Sequence, residues 1–326
     1  MKAKMVDNEL LKKFKEQLDK SNSIALISHL DPDGDNLGSL TALTKCLMNY
    51  GKKVYPIEFD KIPDNLSFLP NLSYLTDNTN IQIDMLICLD CANYERLGNI
   101  ASLFNSSATS VNIDHHMSNE LYADINIVKK GFSSTCELVF DIIEELNLPM
   151  DKEIAQSLLT GISTDTGRFL YQSTTSDTLM KSSKLIKFGA DMMEINTRVY
   201  QSKKFEAQVL ENEILSNTEF YNQTVSISHV TTKQLEKYNV EISDIDNVIN
   251  VYRDTDRIVL SVFIKQKSEN EYKISFRSKG DINVGQIAKS LGGGGHKNAA
   301  ATRIISDYDS VLAKIKEEID KYGLHN

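Results

Sequence analysis

Over its first 190 residues the chain alternates short, continuous apolar runs with segments of helical period. Ser23 to Ser28, Lys53 to Ile57, Met85 to Leu89 and Thr109 to Ile113 are unbroken and β-rich, not alternating, which is the pattern of strands buried on both faces. Helix-like stretches lie between them, near Leu37 to Tyr50 and Glu95 to Phe104. Such an order predicts an α/β fold whose N-terminal part is a doubly wound, mostly parallel sheet. Helical segments follow at Ser133 to Asn147, Asp151 to about Ile162, Ser176 to Phe188 and Met192 to Ser216. The last is long, polar and poor in Gly and Pro, so we expect a catalytic domain over 1–190, a helical linker over 191–216 and a smaller α+β domain over 217–326. In that second domain strands are expected at 224–230, 258–264, 272–276 and 299–305, and helices at 231–238, 284–291 and 307–322.

Charge narrows the function. The net charge is -9, and residues 1–215 carry 21 Lys plus Arg against 30 Asp plus Glu, whereas residues 216–326 carry 15 of each. Binding to long nucleic acids or anionic membranes by bulk field needs a positive face, so it is not expected. Leu10, Leu11, Phe14 and Leu18 mark the N-terminal segment as an amphipathic helix, not a signal sequence, and no apolar run approaches the roughly 20 residues of a membrane span. Four Cys form no disulfide framework, which points to the cytoplasm. Cys88 and Cys91 make a C-x-x-C, but Cys88 lies inside an apolar run and reads as a core thiol.

Three of the four expected strands run into metal-ligand chemistry. The first leads to His29-Leu-Asp31-Pro-Asp33-Gly-Asp35, the third to Asp90, and the fourth to Asp114-His115-His116. Ligands of open α/β sheets bind outside the carboxyl ends of the strands, so these segments deliver carboxylates and imidazoles to one crevice. One Asp at a strand end is ordinarily a turn or helix cap. A cluster of them repels itself unless a cation compensates it. Mixed imidazole and carboxylate donors suit Mn²⁺ better than Mg²⁺, with Zn²⁺, Co²⁺ and Fe²⁺ also compatible. Spacing alone does not choose Asp33 over Asp31.

These motifs resemble the DHH phosphoesterase family over nearly the whole chain. His29, Asp33 and Asp35, the isolated Asp90, the Asp114-His115-His116 triplet, and Asp165 within Gly161-Ile-Ser-Thr-Asp-Thr-Gly-Arg-Phe169 follow the family's four motifs in order. Arg277-Ser278-Lys279 and Gly292-Gly-Gly-Gly-His-Lys-Asn-Ala-Ala300 are similar to its DHHA1 substrate domain, with Ala301 standing where many relatives continue with Gly. Within the family the resemblance is to the stand-alone nanoRNase/pAp phosphatases. It implies two Mn²⁺ ions, one held by His29, Asp33 and Asp90 and the other by Asp35, Asp90, His115 and Asp165, with Asp31 left as a turn residue. Asp114 would orient an imidazole, and His116 would face the phosphate or leaving oxygen. Two metals about 3.5 to 4 Å apart can lower the pKa of a bound water toward roughly 7, so hydroxide attack on phosphorus is the expected chemistry.

The same resemblance assigns substrate contacts to Arg277, Ser278, Gly293, Gly294, Gly295 and His296, since backbone N–H groups of a Gly-rich loop can approach a phosphate closely. Arg168 is a further candidate; it could equally pair with an Asp. Ser133, Ser134 and Thr135 read either as a helix cap or as neighbours of the site. The expected activity is hydrolysis of short oligoribonucleotides (nanoRNA) and dephosphorylation of 3'-phosphoadenosine 5'-phosphate (pAp), with a homodimer possible. Two alternatives stand beside it: a phosphodiesterase for cyclic (c-di-AMP) or linear dinucleotides, and a nucleotide-binding module without catalysis.

Overall fold

The structure is a computed structural model, and it describes residues 7–98 and 101–323. The chain divides into two compact units, one up to Ser202 and one from Lys203 on.

The first unit is built on five parallel strands: β1 (Ser23–Ser28), β2 (Lys53–Ile57), β3 (Met85–Leu89), β4 (Thr109–Asp114) and β5 (Ile125–Val128). Their order is β2-β1-β3-β4-β5. β1 and β3 are central and buried on both faces, which is why IALI and MLICL are continuous runs. The sheet winds outward in one direction from β1 to β2 and in the other from β3 to β5. The reversal between β1 and β3 opens a crevice at their carboxyl ends. The sequence pattern gives no sign of β5. It is a four-residue edge strand that alternates buried and half-buried side chains, too short for its pattern to stand out.

Helices Gly34–Asn49, Thr135–Glu145 and Lys152–Asp165 supply much of the core on one side of this sheet, through Leu40, Leu43, Leu47, Leu138, Ile142, Leu158 and Leu159. Two glycines make the close packing possible. A Cβ on Gly38 would sit 2.6 Å from the Ser157 carbonyl oxygen, and one on Gly161 would sit 2.2 Å from Cys136 Sγ. The first of these helices begins at Gly34, three residues before the expected start, because Asp33 caps it. The expected helix over 95–104 is a 3₁₀ turn at Tyr94–Leu97 and a helix at Ala101–Ser106; residues 99–100 lie outside the described residues.

The single helix expected from Met192 to Ser216 is broken. It is a short helix at Met192–Ile195, a π-turn at Asn196–Tyr200, and a separate helix at Phe205–Ser216. Ile195, Val199 and Tyr200 pack on the first unit's core, whereas Ala207, Leu210 and Ile214 belong to a cluster with Val230, Ile245 and Phe263 in the second. Different cores claim the two halves of the segment, one on each side of the break.

The second unit is a mixed six-stranded sheet of β6 (Glu219–Tyr221), β7 (Val225–Val230), β8 (Leu260–Ser268), β9 (Glu271–Ser278), β10 (Gly294–His296) and β11 (Ala299–Ile305), in the order β10-β11-β9-β8-β7-β6. Only the β7–β8 pairing is parallel. Val284–Ser290 and Tyr308–Lys321 bury Ile287, Val311 and Ile315 against it. Among the described residues no helix is long and apolar enough to cross a membrane.

Candidate metal centre

Each donor of the centre is aimed by the element that carries it. His29 follows β1; its Nδ1 lies 2.7 Å from the Leu30 carbonyl oxygen, which makes Nδ1 the protonated nitrogen and leaves Nε2 as the donor atom. Asn36 fixes this turn, donating from Nδ2 to the His29 carbonyl at 2.7 Å while its Oδ1 accepts from Ser28 at 2.8 Å. Asp33 Oδ1 accepts from the Asp35 and Asn36 amides at 3.0 Å, and Oδ2 stands 4.0 Å from His29 Nε2. Asp31 turns away in a left-handed conformation (φ 61°), its amide bound to Asp60, and it joins none of the donor groups.

Asp90 follows β3, also with φ positive (53°), and is 2% exposed. Its Oδ2 lies 3.4 Å from His29 Nε2, and its Oδ1 lies 3.7 Å from His115 Nε2 and accepts from Thr135 Oγ1 at 2.9 Å. The carboxylate thus faces a different imidazole with each oxygen. Asp35, in the first turn of its helix, is held by the Thr135 and Cys136 amides at 2.6 and 2.8 Å. His115 receives orientation from the Phe132 carbonyl, 3.2 Å from Nδ1, so that Nε2 stands 3.4 Å from Asp165 and 3.9 Å from Asp35. Asp165 is the last residue of helix Lys152–Asp165.

Three groups of donors fall within 4.8 Å of one another: His29, Asp33 and Asp90; Asp35, His115 and Asp165; and Asp90, His115 and His116. Their electrostatics are those of a site short of positive charge. Burial, then repulsion from Asp90, pushes Asp35 up to about 7. Burial, then repulsion from Asp35, pushes Asp165 up to about 7. Burial opposes the imidazolium of His115, but Asp35, Asp90 and Asp165 outweigh it and raise its pKa. Buried carboxyls held this far above their usual range are relieved by a cation, and the oxygen and imidazole donors present fit a divalent one.

Asp114 closes β4 with no exposure and stands apart from these donors. Its Oδ1 accepts from His116 Nδ1 at 2.7 Å and its Oδ2 from Asn119 at 2.6 Å. Burial, the largest single influence, works against its charge, yet the bond and charge of His116 together with the Asn119 bond and the His115 charge outweigh it and keep its pKa below the usual value. In return the hydrogen bond to Asp114 pushes His116 up to about 9.

Of the two readings of Ser133 to Thr135, both hold for the segment, since it caps a helix and Thr135 also lies at the site, whereas Cys136, Asn36 and Asn119 carry no sequence signal for their place there. The sequence S-S-T-C-E marks a helix start, and Ser134 does cap it, accepting from the Glu137 amide at 3.0 Å. Nothing in that signal says that Thr135 also reaches Asp35 and Asp90, which lie 100 and 45 residues away in sequence.

Arg168 is exposed and left-handed (φ 61°), with its guanidinium 4.7 Å over the Tyr200 ring. In the second unit Arg277 and Ser278 end β9. Arg277 donates to the Phe276 carbonyl at 3.0 Å, and Ser278 Oγ donates to the Ile282 carbonyl and accepts from Asn298. The Gly run is not an open loop. Gly292 and Gly293 return their amides to Lys289 and Ala288 and so terminate helix Val284–Ser290, and Gly294, Gly295 and His296 form the edge strand β10. A Cβ on Gly293 would lie 2.2 Å from the Ala301 carbonyl oxygen, so glycine there serves close packing.

Residues 23–162 match the DHH family, N-terminal domain, and residues 223–322 match the DHHA1 domain. A Thermus thermophilus protein named bifunctional oligoribonuclease and PAP phosphatase NrnA is 31% identical, over 92% of this chain and 91% of its own length. A Bacillus subtilis protein of the same name is 28% identical over 90% and 94%. Among solved structures, an exopolyphosphatase-related protein from Bacteroides fragilis superposes with a TM-score of 0.91 at 26% identity, covering 98% of each chain. On these matches, and with its donors gathered at the strand ends, the chain belongs to the DHH/DHHA1 family of phosphoesterases.

Proposed function

We propose that this phosphoesterase degrades short oligoribonucleotides to mononucleotides and dephosphorylates pAp, in the cytoplasm, with two Mn²⁺ ions. The observation that carries the reading is the shared Asp90, with His29 on one oxygen and His115 on the other. The name that the Thermus and Bacillus relatives share supports the choice of substrates. His29, Asp33 and Asp90 would hold one cation, and Asp35, Asp90, His115 and Asp165 the other. Bound there, such cations would neutralise phosphate oxygens and acidify a water. Mg²⁺, Co²⁺ or Fe²⁺ would fit the same donors less well or equally.

The chain's own residues would do the rest. His116, kept protonated near neutral pH by Asp114, can give the proton on Nε2 to the departing oxygen while Nδ1 stays bonded to Asp114. Asp114 is a positioning residue in this scheme, and Asn119 holds it in turn. Substrate contacts are assigned to Arg277, Ser278, Gly293, Gly294, Gly295, His296 and Arg168. Because the Gly293 amide is committed to Ala288, the outer edge of β10, Arg277 and His296 are the stronger part of that assignment. Without basic excess the surface favours short substrates over long strands. A homodimer belongs to the same proposal and would be read from the mass in solution.

The test is a rate comparison on pAp, RNA from dinucleotide to pentanucleotide, and c-di-AMP, with Mn²⁺ and with EDTA. Cation-dependent turnover of pAp and short RNA is expected. Preference for c-di-AMP would move the function to cyclic dinucleotides, and bound cations without hydrolysis would make the chain a binding module. Arg277→Ala or His296→Ala should raise KM while leaving cation binding unchanged; loss of bound cation in either variant would refute the division of roles between the units.

A further inference from the structure

One buried ionic network in the first unit has no place in the scheme above. Glu137 is 3% exposed, yet its carboxylate is saturated: Oε2 accepts from the Ser133 amide at 3.0 Å, the Ser133 hydroxyl at 2.6 Å and Thr178 Oγ1 at 3.0 Å, and Oε1 accepts from Lys181 Nζ at 2.9 Å. Lys181 also binds Asp141 at 2.8 Å and stands 4.4 Å over the Phe132 ring. A buried carboxylate with one acceptor oxygen serving three donors is expensive to assemble and strongly destabilising to break. It ties helix Ser176–Lys187, through Thr178 and Lys181, to Phe132 and Ser133, the residues that lead into helix Thr135–Glu145.

The stretch Phe132–Cys136 touches three of the proposed ligands. The Phe132 carbonyl orients His115 through Nδ1, Thr135 Oγ1 donates to Asp90, and the Thr135 and Cys136 amides hold Asp35. Asp35 and Asp90 are both held from this one segment, Asp35 by the Thr135 and Cys136 amides and Asp90 by the Thr135 hydroxyl. Donors that fix both carboxylates from one rigid segment therefore set their separation.

We infer that Glu137 and Lys181 are positioning residues for the metal centre: by fixing Phe132–Cys136 they set the spacing of Asp35, Asp90 and His115. This rests on the two-cation reading proposed above. Groups that orient metal ligands from outside typically change metal affinity by roughly 10- to 100-fold when removed. The network should lie in that range, and melting measured beside affinity separates its effect on the cations from its effect on the fold.

The experiment uses the full chain and Mn²⁺. Affinity and stoichiometry are measured by calorimetric titration, the exchange-coupled signal of a Mn²⁺ pair by electron paramagnetic resonance, and folding by circular dichroism and thermal melting. Glu137→Gln, Lys181→Met and Thr135→Val should each bind Mn²⁺ at least about tenfold more weakly and lose or alter the coupled signal. Lys181→Arg and Thr135→Ser, which keep the charge and the hydroxyl, should restore both. Should Glu137→Gln fail to fold, the Lys181 and Thr135 pairs carry the same comparison from the two ends of the network. Folded variants with wild-type affinity and an unchanged coupled signal would overturn the inference alone. A wild-type chain that binds no Mn²⁺ would remove the two-cation reading, and this inference with it.

Discussion

Loading the centre with Mn²⁺ should expel protons, in a number that depends on pH. In the cation-free chain Asp35 and Asp165 are each pushed up to about 7, by burial first and by neighbouring carboxylates second. At pH 7 each is about half protonated, so together they surrender about one proton when a cation replaces it. His115, also raised, adds up to about one more. The carboxyl contribution should approach about two at pH 5 and vanish by about pH 9. Titration in two buffers of different ionisation enthalpy reads this number directly. The same groups govern the stability of the cation-free chain. A carboxyl whose folded pKa is raised costs nothing below its unfolded value, 3.8 for Asp35, and its full penalty is felt above about 7. A rise of about three pH units corresponds to about 4 kcal/mol for Asp35, and because Asp165 shares the repulsion the two penalties do not simply add. The thermal midpoint in EDTA should therefore fall between pH 5 and pH 8, and Mn²⁺ should recover more at pH 8 than at pH 5. Heats independent of buffer at pH 6 to 7, or a Mn²⁺-induced gain that does not grow with pH, would refute the reasoning.

Three further perturbations bear on separate parts of the site. Asp90→Ala should abolish turnover and Mn²⁺ occupancy together, because both donor groups lose a shared carboxylate; activity retained in a Mn²⁺-dependent assay would exclude the shared-ligand geometry. Asp114→Asn removes the partner that holds His116 up to about 9, so the alkaline limb of the kcat profile, where His116 loses its proton, should move toward lower pH; an unmoved limb would mean that His116 is not the acid. Gly161→Ala would place a methyl 2.2 Å from Cys136 Sγ and 2.9 Å from Asp35 Oδ1. It should destabilise the chain by about 1 to 3 kcal/mol, read by denaturant melts, and weaken Mn²⁺ binding with it.

The central strands and the donor residues were legible because their physics is local. β1 and β3 had to be continuous apolar runs to be buried on both faces, and a carboxyl strand end followed by His or Asp can be read from adjacent residues. β5 escaped because a half-buried edge strand of four residues carries little pattern. The segment from Met192 to Ser216 had a plausible helical period throughout, and only tertiary packing on two cores reveals where it breaks. The preference for Asp33 over Asp31 was equally out of reach of spacing. It depends on a left-handed turn at Asp31 and on the Asp60 carboxylate that takes its amide, 29 residues away. Thr135 shows the same limit: a helix cap is visible in four letters, but its contacts across the crevice are not.

The packing of helix Lys152–Asp165 against Gly34–Asn49 has a kinetic consequence. The donors enter the chain between His29 and Asp165, and the last arrives only when the later helix docks through Gly38 and Gly161. Half-assembled states that contain the first four strands but not this helix would lack Asp165 and the close neighbours of Asp35. Tight capture of a divalent cation would then report the docking of this helix, and a cation that binds only the completed unit would add its binding free energy to the native state alone.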